Sequence, residues 1–203
     1  IFASALTTDD SIDFITILGD TLDLGTPSDG TVVPASLGTT AVTALTAGTG
    51  ITNGTNTIYR SDVQKLGNIL HTRILIDLTG LASSGSGDII GKAGTANSHI
   101  GQITAAVNGT VLGGKITCFE APAGGDPDIN LWYADEATGA EDAAITSLTN
   151  QVQMCDSGDL AIGTVVGIPT PPAADKYLYM VTGAATNADY TAGKILIEFF
   201  GYV

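Results

Sequence analysis

The sequence predicts an all-β fold, in which an extended N-terminal arm precedes an antiparallel β-sandwich or jelly-roll-like body. Two observations lead to this prediction. Apolar and polar residues alternate along several short runs, which is the period-2 pattern of a strand with one buried face. Clusters rich in Gly, Asn and Pro separate these runs at close spacing, as in sandwiches and jelly rolls.

The distribution of charge along the chain predicts two regions. Residues 1–58 contain six Asp and neither Lys nor Arg, whereas all seven basic residues lie in residues 59–203. We interpret residues 1–58 as an N-terminal arm or small subdomain. We interpret residues 59–203 as the β-sandwich body, since the strand-like runs concentrate there.

Four runs are the clearest strand candidates of the body: residues 70–78, 129–133, 177–181 and 194–203. The first three alternate, and the run at 70–78 places Ile74, Ile76 and Leu78 on one face. The last run is apolar on both faces apart from Glu198, for which we expect a Lys or backbone NH partner. We expect this run to be covered on both sides, within the main sheet or at a subunit contact.

Two local motifs are less regular. Asn108-Gly109 suits a tight turn, which predicts a hairpin with arms at residues 103–107 and 111–119. Residues 136–151 have enough helix-forming residues for a short helix, although Gly139 and the Thr and Ser content weaken it.

The composition argues against several classes of partner. A net charge of -14 opposes binding to nucleic acid or to an anionic membrane, because both require an excess of cations. We interpret the acidity as a source of solubility for a surface in which only 14% of residues are charged. The weakly charged exterior suits contact with neighbouring subunits.

The sequence contains no motif for nucleophilic or nucleotide chemistry. Gly85-Ser86-Gly87 lacks the strand-turn-helix context of a nucleophile elbow, and Gly91-Lys92 lacks the spacing and hydroxyl of a phosphate loop. We expect His71 and His99, the only two histidines, to be structural or solvent-facing. The chain is therefore predicted not to be an enzyme, with no catalytic residues and no cofactor.

Other candidate sites are also weak. Asp126, Asp128 and Asn130 begin like a calcium loop, but Leu131 and Ala137 replace the Gly and Glu that the loop requires. We expect these residues to form a turn, as we do for Asp9, Asp10 and Asp13, and we predict no metal site. The acids Glu120, Glu141 and Glu198 are the candidates for a glycosidase pair, which spacing alone does not exclude.

The two cysteines and a pair of aromatic residues are the last candidate functional residues. We expect Cys118 and Cys155 to be two free, buried thiols, with a single bridge between them as the alternative. Trp132 and Tyr133 lie beside an acidic loop, as carbohydrate-binding aromatics do, but alternation places at least one of them in the core.

Five phrases in residues 69–203 resemble a group of virion structural proteins of tailed bacteriophages. The phrases are RILIDLTGL (73–81), GDIIG (87–91), GQITAA (101–106), GGDPDI (124–129) and ADYTAGK (188–194). The resemblance covers about two thirds of the chain and includes no catalytic motif.

The resemblance implies a virion component on the outer surface of the capsid. A decoration or cement protein suits the size of the chain, and such proteins are commonly homotrimers that contact the major capsid protein and bridge neighbouring shell subunits. The arm would then lie across those neighbours. Two alternatives remain open, namely a tail or fibre protein and a carbohydrate-binding β module that uses Trp132 and Tyr133.

Overall fold

A computed structural model describes residues 44–203, and strands form most of their regular structure. The strands are β1 (Ile58–Leu66), β2 (Ile69–Asp77), β3 (Ala82–Ser83), β4 (Gly101–Ile103), β5 (Thr110–Ala123), β6 (Ile129–Ala134), β7 (Val152–Cys155), β8 (Val165–Ile168), β9 (Lys176–Thr182), β10 (Ala188–Asp189) and β11 (Ala192–Tyr202). The helices are short: α1 (Thr49–Thr52), α2 (Ala105–Asn108) and a 3-10 turn at Ile145–Ser147. The all-β prediction is confirmed.

The strands form two main antiparallel sheets. The order is β1-β2-β11-β5-β8 in the five-stranded sheet and β4-β9-β6-β7 in the four-stranded sheet, and β10 pairs with β3 separately. Each ladder is antiparallel. The predicted runs 70–78, 129–133 and 177–181 correspond to β2, β6 and β9, so the antiparallel sandwich class is confirmed.

The main core lies between the two sheets. One large cluster of buried residues includes Ile74, Ile116 and Ile197 from the five-stranded sheet, and Leu131 and Met180 from the four-stranded sheet. These side chains alternate with outward-facing ones along their strands, as the period-2 pattern requires. Removing this much apolar surface from water is the main force that holds the two sheets together.

A second, smaller cluster covers the other face of the four-stranded sheet. Tyr179 and Val181 of β9 pack there against Ile89 and Ile145, which belong to connecting segments. The hydroxyl of Tyr179 donates to the Glu136 carbonyl at 2.6 Å, which ties one of these segments to the strand. The four-stranded sheet is therefore buried on both faces.

Strand β11 lies within the main sheet, which is one of the two environments expected for it. It lies in the middle of the five-stranded sheet, between β2 and β5, so the chain end is held within the main sheet. Ile195, Ile197 and Phe199 are fully buried, whereas Phe200 and Tyr202 are exposed on the opposite face. Among the described residues, β11 is therefore covered on one side only, and cover of its second side stays a prediction.

The predicted hairpin at Asn108-Gly109 is wrong. Residues 105–108 form α2, whose first turn is capped because the Thr104 hydroxyl accepts a hydrogen bond from the Val107 NH at 3.3 Å. Gly109 has a φ of 64° and ends the helix, so the same dipeptide that favours a tight turn serves here as a helix terminus. Strand β4 pairs with β9, while β5 pairs with β11 and β8.

Residues 136–151 do not form the short helix considered from the sequence. Only Ile145–Ser147 form a 3-10 turn, and the rest of the segment is irregular. Gly139 explains part of this, because a Cβ at that position would lie 2.7 Å from the Tyr179 ring and from the Ile89 side chain. The backbone at Gly139 passes so close to these two residues that a side chain at this position would clash with them.

The segment before β1 contributes to the core. Leu45, Ala47 and Ile51 belong to the main cluster, and the Ser61 hydroxyl of β1 donates to the Leu45 carbonyl at 2.9 Å. This segment belongs to the predicted arm, residues 1–58. The division at residue 58 stays a prediction, since residues 1–43 lie outside the described residues.

The two faces of β11 predict opposite responses to truncation of adjacent phenylalanines. Phe199→Ala should lower the free energy of unfolding by about 3–5 kcal/mol, because it leaves a cavity in the core. Phe200→Ala should lower it by about 1 kcal/mol or less, because Phe200 is already in contact with solvent. Urea unfolding of both variants measures the difference, and equal losses would contradict the assignment of the two faces.

Candidate functional site

The outer side of the five-stranded sheet is the main candidate for an interaction surface, and we call it the open face. The strand registers place the following residues on it: Arg60, Asp62, Gln64 and Leu66 of β1; Ile69, His71, Arg73, Leu75 and Asp77 of β2; Lys194, Leu196, Glu198, Phe200 and Tyr202 of β11; Lys115, Thr117 and Glu120 of β5; and Val165 and Gly167 of β8. Among the described residues, ten large apolar side chains are exposed, and eight of them lie on the strands of this sheet.

A ladder of charged side chains crosses the middle of the open face. Arg73 makes a two-pronged salt bridge with Asp62, in which Nε lies 2.8 Å from Oδ1. On the other side of Arg73, Glu198 accepts from His71 Nε2 at 2.9 Å and from Lys115 Nζ at 3.0 Å. Because each carboxylate has a cationic or imidazole partner on a neighbouring strand, the ladder holds β1, β2, β11 and β5 in register.

A second group of charges lies at one end of the face. Lys194 Nζ lies 3.3 Å from the Asp77 carboxylate and also pairs with Glu120. Burial alone would raise the pKa of Asp77, but hydrogen bonds from the side chain and backbone of Thr79 and from Lys194 outweigh burial and lower it. Asp77 is therefore held in its charged form.

The opposite end of the open face is apolar. Leu66, Ile69, Phe200 and Tyr202 are 80%, 52%, 41% and 54% exposed, and we call these four residues the apolar end. The registers place Leu66 beside Ile69, and Ile69 beside Tyr202. The Phe200 ring stacks on His71 with 4.8 Å between ring centroids. An apolar group of this kind on a sheet surface is typical of a contact with another macromolecule.

The open face is electrically neutral, while the rest of the protein is acidic. The described residues include all seven Lys and Arg and fifteen of the 21 Asp and Glu. Four of each lie on the open face, which leaves three cations and eleven carboxylates elsewhere on the described residues. A partner that covers this face therefore buries no net charge of the protein.

The two histidines lie in different environments, and neither is hydrogen-bonded to a candidate nucleophile within residues 44–203. His71 belongs to the open face and is bound by Glu198. His99 packs edge-on against Tyr177 at 5.0 Å between ring centroids, and burial lowers its pKa. The Ser86 hydroxyl donates to the Gly183 carbonyl at 2.7 Å, which anchors the Gly85–Gly87 loop to the end of β9.

The Asp126 loop serves a structural purpose. Asp126 is buried, and its carboxylate accepts from the backbone NH of Asp128 and of Ala184 at 3.0 and 2.9 Å. Asn130 accepts from the Ser157 NH. Burial, and then the charges of neighbouring aspartates, raise the pKa of Asp128. Within the described part of the chain, no three His, Cys, Asp or Glu side chains are grouped so as to hold a metal ion. Asp9, Asp10 and Asp13 lie outside it.

The remaining candidates are mostly buried or paired. Cys118 and Cys155 are free and buried as expected, and burial raises the pKa of the Cys155 thiol to about 11. Glu120 and Glu198 are paired on the open face. Glu141 accepts from the Gly94 NH at 2.8 Å in a loop of its own. No hydrogen bond links these three acids to one another among the described residues.

Trp132 and Tyr133 point to opposite faces of β6. Trp132 packs against the small cluster around Tyr179, and Tyr133 packs against the main core. Both rings are partly buried. They therefore do not form the shared aromatic platform that a carbohydrate site on these two residues would need.

Sequence reasoning did not identify the open face as a site. The signals in the sequence are strongest for single strands, whereas this surface exists only because five strands from distant parts of the chain become neighbours. One signal was visible: the last strand has aromatic residues on both faces. Of these aromatic residues, Phe200 and Tyr202 lie on the outer face, at the apolar end.

Comparisons with known proteins give no relatives: no family model, curated protein or solved structure matches the chain. Among residues 44–203, no helix is both long enough and apolar enough to span a bilayer.

The lowered pKa of Asp77 predicts a pH-dependent effect of substitution. A carboxyl group whose pKa is lowered by folding stabilises the protein above its unfolded-state pKa, and this contribution is lost as pH falls through the folded-state value. Asp77→Asn should therefore lower the free energy of unfolding by about 1 kcal/mol at neutral pH. The variant and the parent protein should converge in acid.

Urea unfolding across a pH series measures this effect. Asp189→Asn is the control, because Asp189 is exposed and lies on a short strand outside the main sheets. A loss for Asp77→Asn that is constant at every pH would contradict the role of its charge.

Proposed function

We propose that this chain is a structural protein of a tailed bacteriophage, a decoration protein on the outer surface of the capsid. It has no catalytic role and stabilises the head by bridging neighbouring shell subunits. The observation that carries the proposal is the open face, a broad and neutral sheet surface with exposed apolar side chains on an otherwise acidic body. Such a surface suits packing against protein.

The charges support a position outside the shell. Packaged DNA is polyanionic, and the chain has 21 acidic against seven basic residues. Four of those seven cations are on the open face, and three of them, Arg73, Lys115 and Lys194, are paired with its own carboxylates. A protein with this surface packs against other proteins more readily than against nucleic acid.

The stabilising mechanism is thermodynamic. A protein that binds the assembled shell and has no affinity for dissociated subunits shifts the equilibrium towards the shell by mass action. The sandwich contributes a rigid surface, because the charge ladder links four of the five strands that form the open face. Little conformational entropy is then lost when this surface is covered.

The proposal is tested on phage heads that lack this protein. Adding the purified full-length chain should raise the melting temperature of the heads in scanning calorimetry, because binding stabilises the assembled state. Heads that melt at the same temperature with and without the chain would contradict the proposal. Electron microscopy of the same sample locates the chain, and a position confined to the tail would contradict the capsid assignment.

A matched pair of variants tests whether the open face makes the contact. Val165 of β8 lies on the open face and is 59% exposed, while Ile162 lies in the loop before it and is 74% exposed. Val165→Asp should weaken binding to heads, because it places a charge in the contact, whereas Ile162→Asp should bind as the parent does. Equal binding by both variants would argue against this face.

A further inference from the structure

Strand β1 forms one edge of the five-stranded sheet and has no strand partner on its outer side among residues 44–203. It pairs with β2 over all nine of its residues, and no other backbone hydrogen bond joins it to a described residue. In an antiparallel pair, alternate residues of an edge strand direct their NH and C=O groups away from the neighbouring strand. This row of unpaired groups, which we call the free edge, is a template for a further strand.

The free edge is the longest and most regular edge of the two main sheets. The other edge strands, β8, β4 and β7, have four, three and four residues. Strand β1 contains neither Pro nor Gly, and its register with β2 continues without a bulge. Short length, Pro and bulges are common means by which an edge strand avoids pairing, and β1 has none of them.

Two unpaired cations lie on the strand that forms the free edge. Arg60 and Lys65 are exposed and make no salt bridge with a described residue, and the Arg60 guanidinium donates only to the carbonyl of Tyr59, at 2.9 Å, within the described part of the chain. The β1–β2 hairpin, residues 58–77, has three cations and two carboxylates, whereas the rest of the described residues has four cations and thirteen carboxylates. The free edge is therefore a locally basic site on an acidic protein.

We propose that an extended acidic segment of another protein binds at the free edge by adding a strand to β1. An extended segment is the form of chain that pairs with NH and C=O groups along nine residues. An uncharged strand would partly desolvate Arg60 and Lys65 without compensation, and a basic strand would repel them. The inference concerns the edge of the sheet and does not depend on the proposed function.

The positions of the two cations specify the partner further. Arg60 lies on the open face, whereas Lys65, five positions later, lies on the opposite face of β1. Residues directly opposite each other on paired strands have their side chains on the same face. The partner should therefore have acidic residues five positions apart, one on each face of its strand.

Two depressions provide apolar surface next to β1. Leu75 and Leu196 line one of them, Leu66, Ile69 and Phe200 line the other, and three consecutive residues of β1 contribute to each. Strand addition gains affinity from backbone hydrogen bonds and specificity from recesses that accept alternate side chains. Apolar side chains on the open-face side of the added strand would contact these depressions.

The acidity of the protein as a whole does not prevent this contact. Repulsion between exposed charges is largely screened beyond about 8 Å at physiological ionic strength. The carboxylate of β1 itself belongs to Asp62, which is already bound by Arg73. The unpaired cations beside the free edge therefore determine which strand binds.

Fluorescence anisotropy with the full-length chain and a labelled peptide tests the inference. The probe is a capped nine-residue peptide of Thr and Val with Glu at its second and seventh positions, which face Lys65 and Arg60 in an antiparallel register. It should bind, and a peptide with Glu at the second and sixth positions should bind about threefold more weakly, because both of its acids lie on one face. The probe with all its backbone amides N-methylated should not bind, because it has no NH groups to pair with the edge.

Variants of the chain test the role of the two cations. Arg60→Gln and Lys65→Gln should each weaken binding of the probe by about threefold, because each removes one exposed ion pair. Lys92→Gln is the matched control, since Lys92 also makes no salt bridge with a described residue but lies in a loop outside the main sheets. It should bind the probe as the parent does. Circular dichroism confirms that each variant retains its strands.

Hydrogen exchange of the β1 amides locates the contact. Alternate amides of β1 should exchange rapidly in the dilute chain and become protected when the probe is added. Protection in the dilute chain alone would overturn the inference, because the edge would already be occupied. Protection that rises with the concentration of the chain would overturn it in favour of a second copy. Equal binding of the two Glu peptides, or unchanged binding by Arg60→Gln and Lys65→Gln, would also overturn it.

Discussion

The antiparallel pairing of β11 with both β2 and β5 is the constraint on which the rest of the structure depends. This strand pairs with β2 from Lys194 to Tyr202 and with β5 on its other edge, so it joins the N-terminal hairpin to the remainder of the five-stranded sheet. The pairing fixes which side chains enter the core. Ile195, Ile197 and Phe199 point inwards, and the residues between them must then point outwards.

The two sheets differ in what covers their outer faces, and the functional proposal is based on this difference. Connecting segments that contain Ile89 and Ile145 cover the outer face of the four-stranded sheet. The outer face of the five-stranded sheet has a charge ladder and exposed apolar side chains instead. The proposed packing against other subunits is based on this exposed outer face.

Individual strands could be predicted from the sequence, but their neighbours could not. Alternation located β2 and placed Ile74, Ile76 and Leu78 in the core, because burial of one face imposes a period of two on the residues. The same reasoning failed at Asn108-Gly109, where positive φ at the glycine ends a helix instead of forming a hairpin turn. Local sequence determines that the backbone turns, whereas the direction of the turn depends on what packs around it.

The candidate site shows the same limit. A Lys or backbone NH partner for Glu198 was predicted and Lys115 is found there, since a carboxylate on an apolar strand needs compensation. The neutrality of the open face could not be predicted, because it depends on Arg73, Lys115 and Lys194 meeting carboxylates from other strands. Cover on both sides of β11 was predicted from its composition, and the described residues supply only one side. Cover of the other side is part of the proposed function.

Hydroxyl-radical footprinting of the dilute full-length chain tests the two-sided character of β11 most directly. Oxidation rates of Phe199, Phe200 and Tyr202 are measured by mass spectrometry on the same peptide. The structure predicts rapid oxidation of Phe200 and Tyr202 and strong protection of Phe199, because only the first two are in contact with solvent. Equal protection of all three, or oxidation of Phe199 as fast as that of Phe200, would contradict the assignment of Phe200 and Tyr202 to an exposed outer face and of Phe199 to the core.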